Sequence, residues 1–383
     1  MIASFRRSLL AIALAAAAAW SATPVQAWSH QGHMLLTRLA ALRIINDPSA
    51  PQGLRDFLKA NMPHTIEECH QLATVDVIGG DPKNLTGFDA AATLPDRIQS
   101  TPDGKKPLEP YNAPEFQMHF MDMEWLSKDP AYKADFSNRP SLEQISRDVH
   151  DPRWKLAGYL PFRVEECYLN VTAAFAAKDK PFDNDAALRW AGYLAHYLED
   201  SHQPHHSTID FRSLSYLAAA SVPGVHAIHS KTSDGRDALS YKSDSPDINV
   251  HGAIEYQLFE NADEPRKTLR EQYWNELLTR IDAHARERAA NPPGAFDPSK
   301  PYDGFARVIE ILSESYEYLP AVGKAGAAGY ATGKFDAEAF FTSEDTIRGE
   351  RMTMIQLIAD RNARAVLEVE ATWRCAWADA HSQ

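Results

Sequence analysis

The sequence predicts an all-α fold, one mainly helical domain with long loops. Three observations carry that expectation. Apolar residues recur at helical spacing in segment after segment, convincing alternating strands and any βαβ rhythm are absent, and histidines and carboxylates crowd a few short stretches. The chain has 383 residues, 44% hydrophobic and 24% charged, an ordinary globular composition able to bury a large core.

Residues 1–27 read as a secretory signal peptide. Arg6 and Arg7 give a basic start, Leu9 to Ala19 an apolar run, and Val25-Gln26-Ala27 a small-residue cleavage pattern. Cleavage after Ala27 predicts export to the periplasm or the medium, leaving one domain over 28–383 with a core of about 28–291 and a helical extension of about 302–383. Ser29 can cap a helix that runs to about Ile44, with Leu35, Leu36, Leu39, Ala40 and Leu42 near its apolar face. A second helix is expected over Pro51–Ala60. Gly79 to Pro114 is dense in Gly, Pro, Asp and Asn and reads as long loops. Helical patterns return over Leu142–Val149, Trp154–Ala177 and Asp185–Asp200. A loop-rich insertion spans Ser221–Asn249, followed by helices at His251–Glu260 and Glu264–Asn291. Pro292–Pro301 reads as a linker, and Tyr302–Tyr318 and Ser343–Trp377 as the last helices.

The formal net charge of −13 argues against a nucleic-acid binder that works through a broad basic face. It does not exclude an enzyme that holds phosphate with metal ions, because bound cations dominate the local field. No later run of about 18 apolar residues predicts a transmembrane span. The three cysteines, Cys69, Cys167 and Cys375, lack zinc-ribbon spacing and are expected to be free and buried, so a metal would need other ligands.

Those other ligands are dense in His196-Tyr-Leu-Glu-Asp200-Ser-His202-Gln-Pro-His205-His206. His196 and Asp200 are four apart at a helix end and share a face, where imidazole and carboxylate can grip a borderline cation such as zinc. Pro204 then breaks the helix and lets a following histidine turn back. His251 and Glu255 repeat the four-residue spacing. At the expected mature N-terminus, Trp28-Ser-His-Gln-Gly-His33, a freed α-amine and its own carbonyl can chelate a metal, with His33 as a third donor.

Together these pieces resemble the zinc-dependent phospholipase C / P1 (S1) nuclease family. Its pattern is a mature N-terminal Trp with a nearby His, an isolated Asp, and His-Phe/Tyr-x-Asp. After these come His-x-x-x-Asp-x-x-Gln-Pro-x-His and a final His-x-x-x-Asp or Glu. Asp96, in Leu94-Pro-Asp-Arg-Ile98, and His119, in His119-Phe-Met-Asp122, supply the remaining pieces. The resemblance implies three Zn2+ ions. Asp96, His119, His196 and Asp200 would surround one. Asp200 would bridge to a second that also takes Trp28 and His33, and His206, His251 and Glu255 would hold a third. His205 and His202 fall outside the expected ligand set. The implied chemistry is phosphate-ester hydrolysis: paired zinc ions bring a shared water toward ionisation at neutral pH, and Asp96 orients or deprotonates it.

For the substrate, the resemblance favours a phospholipase C acting on phospholipids, with transient contact at a membrane surface. Glu255 stands where the nucleases usually carry Asp, the segment Phe211-Arg-Ser-Leu-Ser-Tyr216 is similar to a phospholipase segment, and Phe116 matches an aromatic of the headgroup site. Arg97 replaces a tyrosine there and could accept phosphate or an anionic headgroup. The alternative is a single-strand nuclease or 3′-nucleotidase, with Phe120 as a stacking ring and Asp122 as a base-edge acceptor. A third reading is an exported zinc-binding protein without turnover.

Overall fold

The computed structural model describes residues 28–62, 64–75, 84–129, 137–176, 184–231, 237–260, 264–291, 293–296 and 300–382. The expected signal peptide and its cleavage site lie outside them. The described chain is mainly helical, with two small two-stranded sheets. No helix among the described residues is long and apolar enough to cross a membrane.

The central helix is α1 (His30–Ile45), which starts where Ser29 accepts a hydrogen bond from the Gly32 N–H. Almost all of its residues are buried, as expected of a helix surrounded by others. Helix α2 (Gln52–Asn61) follows as expected. Next come α3 (Ile66–Thr74), opened by a capping box of Thr65 and Glu68, and α4 (Gly87–Gln99). Helix α4 corrects the reading of Gly79–Pro114 as loop. Gly87, Asp89 and Pro95 look like breakers, yet Phe88, Ala91 and Ala92 are buried, and that tertiary packing overrides local propensity.

The expected helix over Leu142–Val149 shrinks to a 3₁₀ turn at Leu142–Gln144, because Leu142 is 67% exposed and finds no apolar surface to cover. Trp154–Ala177 is divided: α5 (Trp154–Ala157) ends at Gly158, and α6 (Leu160–Phe175) begins after it. Gly158 has φ +92° and lies so close to the Phe120 carbonyl that a Cβ would sit 2.3 Å from its oxygen, so glycine is required twice over.

Helix α7 (Asn184–Ser201) is buried continuously from Ala191 to Ser201 and crosses α4 closely at Gly192. A Cβ there would fall 2.4 Å from the Ala91 Cβ. The approach has a direct consequence: His196 lies one turn beyond Gly192, and Asp96 one turn beyond Ala92. A 3₁₀ turn at Pro204–Ser207 and α8 (Leu214–Ala219) follow.

The insertion is an antiparallel hairpin, β1 (Val225–Lys231) and β2 (Asp237–Ser243), with Val225 paired to Ser243 and Lys231 to Asp237. Its polar sequence shows little apolar alternation, which is why it reads as loop. Helices α9 (Val250–Glu255), α10 (Glu264–Ala290), α11 (Gly304–Glu317), α12 (Leu319–Gly329) and α13 (Ala337–Phe341) lead to a second hairpin, β3 (Glu344–Ile347) and β4 (Glu350–Thr353). Its two-residue turn, Arg348-Gly349, has positive φ at both positions, the geometry that matches strand twist. Helix α14 (Met354–His381) closes the chain and packs on α1, α6, α7 and α10. The single helix expected over Ser343–Trp377 is therefore a hairpin plus a helix, divided at Thr353, which caps α14 with Gln356 in a capping box.

Candidate metal centre

Four side-chain atoms converge where α4, α7 and the segment after Met118 meet. His196 Nε2 lies 3.1 Å from His119 Nδ1, 3.4 Å from Asp200 Oδ2 and 3.7 Å from Asp96 Oδ1. His119 Nδ1 lies 3.0 Å from Asp200 Oδ2 and 3.7 Å from Asp96 Oδ1. Zinc bonds of about 2.0–2.2 Å give tetrahedral edges of about 3.3–3.6 Å, so Asp96, His119 and His196 could hold one cation, and Asp200 stands against the same two histidines. All four residues are buried.

The supporting bonds decide which nitrogen faces the centre. His196 Nδ1 is 2.7 Å from the Ala92 carbonyl, which can only accept, so Nδ1 carries the proton and Nε2 presents a lone pair. His119 sits on irregular backbone held from both sides. The Met121 N–H donates to the His206 carbonyl at 2.8 Å, and His206 Nδ1 donates back to the His119 carbonyl. The two histidine segments therefore fix each other, and His206 Nε2 is left as a donor atom for a ligand.

His33 stacks on His196 with ring centroids 4.0 Å apart, and its Nε2 is 3.6 Å from Asp200 Oδ1. Neither His33 Nε2 nor Asp200 Oδ1 has a hydrogen-bond partner, although both are buried. Two unsatisfied atoms facing each other are costly unless something lies between them. Asp200 thus offers one oxygen to each side, the disposition of a bridging carboxylate. His33 Nδ1 is 2.6 Å from Glu199 Oε2, and Thr37 donates to the other Glu199 oxygen at 2.8 Å. Glu199 escapes a reading based on ligand spacing, because it points away from Asp200 and acts by orienting His33.

Trp28 is buried at the same end of α7, its indole N–H donating to the Glu199 carbonyl at 3.0 Å. Ligation by its freed amine depends on cleavage after Ala27, which lies outside the described residues.

A second grouping stands beside the first. His206 Nε2 is 3.3 Å from His251 Nε2 and 3.6 Å from Glu255 Oε1, and His251 is in contact with Glu255. Gln203 ties the two motifs together: its Oε1 accepts from the His205 N–H at 2.6 Å and its Nε2 donates to Glu255 at 2.8 Å. His205 Nε2 lies 2.8 Å from Ser213 Oγ, and His202 Nδ1 2.8 Å from the Leu198 carbonyl.

The electrostatics suit a divalent cation. Burial, then the charges of Asp96 and Glu199, push Asp200 well above the usual carboxylate range. Burial above all does the same for Glu199 and Glu255. Burial pushes His196 down to about 3 and His206 to about 4, keeping both imidazoles neutral. Neutral nitrogens and crowded carboxylates are the donor set a divalent cation would stabilise. Three groups of buried residues could hold a metal ion: His33, His196 and Asp200; Asp96, His119 and His196; and His206, His251 and Glu255.

The expected substrate residues are placed less uniformly. The half-buried Phe116 and Phe120 rings lie 6.4 Å apart, flanking His119 in sequence. The Asp122 carboxyl is pushed well up by burial and by Glu124. Arg97 folds back along α4, donating to the Ala90 carbonyl at 2.7 Å. The cysteines are free, with Cys69 and Cys167 buried and Cys375 half-buried. The sequence matches no protein-family model and no curated protein.

Proposed function

We propose that this chain is an exported phosphodiesterase that works with three zinc ions, acting on phospholipids as a phospholipase C. The observation that carries this reading is the convergence of two donor groups that share His196, Asp96/His119/His196 and His33/His196/Asp200, beside the His206, His251 and Glu255 group. When bound, the cations supply Lewis acidity to phosphate oxygens and bring a water within reach of ionisation at neutral pH.

The chain's own residues do the rest. Asp200 offers Oδ2 to the His119/His196 side and Oδ1 to the His33 side, and would hold a cation on each, for which it would supply negative charge. Asp96 takes the role of orienting the attacking water and receiving its proton at a carboxylate oxygen. Gln99 donates to Asp96 Oδ1 at 3.0 Å, which steadies the carboxylate for that role. Glu199 and the Ala92 carbonyl keep His33 and His196 in the required ring orientation.

Phospholipid is favoured by Glu255 as the last ligand and by the Phe211–Tyr216 segment. A single-strand nuclease is the second reading, favoured by the half-buried Phe120 ring, on which a base can stack. The experiment is parallel hydrolysis by mature, zinc-loaded protein of phosphatidylcholine dispersions and single-stranded RNA. Faster release of phosphocholine is expected. Faster release of 5′-nucleotides assigns the second reading, and full zinc content with neither product overturns both in favour of metal binding without turnover.

A further inference from the structure

Arginine is always charged inside a protein, so a buried guanidinium needs an anion or a set of acceptors. Most buried arginines of this chain have them. Arg163 pairs with Glu115 at 3.1 Å, Arg38 with Asp89 at 2.7 Å, and Arg361 with Glu314 at 3.3 Å. Arg270 on α10 is different. It is 2% exposed, its Nε and Nη1 have no hydrogen-bond partner, and no carboxylate among the described residues pairs with it. In a chain with 52 acidic residues against 39 basic ones, leaving a buried cation unmatched runs against composition.

A second guanidinium stands beside it. Arg266 lies one turn earlier on the same face of α10, and its Nη2 donates to Gln257 Oε1 at 2.6 Å, which anchors that side chain near Arg270. Burial, followed by the charge of Arg270, lowers the Arg266 pKa, and burial lowers that of Arg270. The neighbours along the helix, Leu269, Tyr273, Trp274 and Leu277, are buried and bring no opposite charge.

We infer that Arg270 and Arg266 form an anion site that takes a phosphate group. The planar guanidinium fork of Arg270 matches two oxygens of a tetrahedral oxyanion, which it can grip bidentately, and the neighbouring charge of Arg266 favours an anion there. Arg270's small exposure restricts approach to a group presented end-on, such as inorganic phosphate or the terminal phosphate of a monoester. The site uses none of the residues of the metal centre and does not depend on the reading of that centre.

The test uses the full metal-loaded chain with ¹⁵N-labelled arginine. The Arg270 Nε–H resonance, assigned by its loss in R270K, is followed during titration with inorganic phosphate, glycerol phosphate and acetate. A saturable shift with phosphate is expected, together with a phosphate-dependent rise in melting temperature that is lost in R270M. An equal shift with glycerol phosphate identifies the ligand as an ester terminus; a shift with inorganic phosphate alone identifies the free ion. In phosphate-free buffer R270M should melt no lower than the parent, because it removes an unpaired buried charge. An unmoved resonance, an equal response to acetate, or a large loss of stability in R270M without phosphate overturns the site. Zinc content and hydrolysis of both substrates are read on R270M in parallel, so a failure here is distinct from a failure at the metal centre.

Discussion

The candidate metal centre and the C-terminal charge cluster bury carboxylates in opposite ways. Around Asp200, Glu199 and Glu255 no arginine or lysine pairs with the carboxylates among the described residues, and burial pushes all three upward. Around Asp360, Glu368 and Glu314, arginines converge from α10, α11, α14 and the β3–β4 turn. Glu368 receives Arg307 at 2.8 Å and Arg288 at 2.7 Å, and Asp360 receives His284 at 2.7 Å and Arg364 at 3.1 Å. Burial would raise these carboxylates too, but the surrounding positive charges outweigh it and hold Asp360 and Glu368 low. One region carries its cations in the chain; the other consists of buried residues that could hold a metal ion. The two are joined, because Arg361 donates to the His202 carbonyl at 3.0 Å and Ser315 to the Ser201 carbonyl at 2.7 Å, both at the C-terminal end of α7.

The largest expected effect breaks the first half of that contrast. Asp200→Asn keeps the shape of the side chain but removes the charge shared between two donor groups. Metal content should fall and hydrolysis should drop on the order of 10³-fold, roughly 4 kcal/mol in the barrier. Metal analysis alongside turnover checks this, and a variant with full occupancy and normal rate would remove Asp200 from the centre. Next in size is Glu368→Gln, which leaves Arg307 and Arg288 buried against a neutral amide. Breaking a buried pair costs about 3 kcal/mol or more, so the melting temperature should fall by several degrees while metal content at low temperature is retained. Loss of metal with unchanged melting would mean that the contrast between the regions is misdrawn.

The same contrast explains what the sequence reveals. The donor residues are legible because a metal restricts ligand type and spacing: His196 and Asp200, or His251 and Glu255, must share a helix face. Glu199 and Thr37 are not legible, since they act through partners far away in sequence or through a side-chain rotation that spacing does not encode. Helices α1, α2 and α7 show clear apolar patterning and good boundaries. Helix α4 is hidden by Gly87 and Pro95, and the hairpin of β1 and β2 by its polar sequence, because in both cases pairing or packing overrides composition. The arginine partners of Glu368 lie about 60 and 80 residues away along the chain and follow no motif, so only the fold brings them together.

The smallest effect sharpens the second half of the contrast through pH. Burial alone would raise the Glu314 carboxyl, but Arg361, Arg364 and Arg348 outweigh it and bring it down to about 2 from an ordinary value of 4.5. A folded-state pKa below the unfolded value means that the unfolded chain binds the proton first as pH falls. The stabilisation from Glu314 is therefore complete well above pH 4.5 and is lost progressively as pH drops toward 2. By about pH 4 the loss should approach 1 kcal/mol, from the standard conversion of pKa differences into free energy. Glu314→Gln lacks this contribution at every pH, so it should melt lower than the parent at pH 7 and converge toward it in acid. Histidines and carboxylates of the metal centre titrate in both proteins, so the difference between the two melting curves isolates Glu314 from them. Parallel curves with no convergence would mean that the arginines around Glu314 do not lower its pKa. The C-terminal cluster would then owe its stability to hydrogen-bond geometry and not to matched charge.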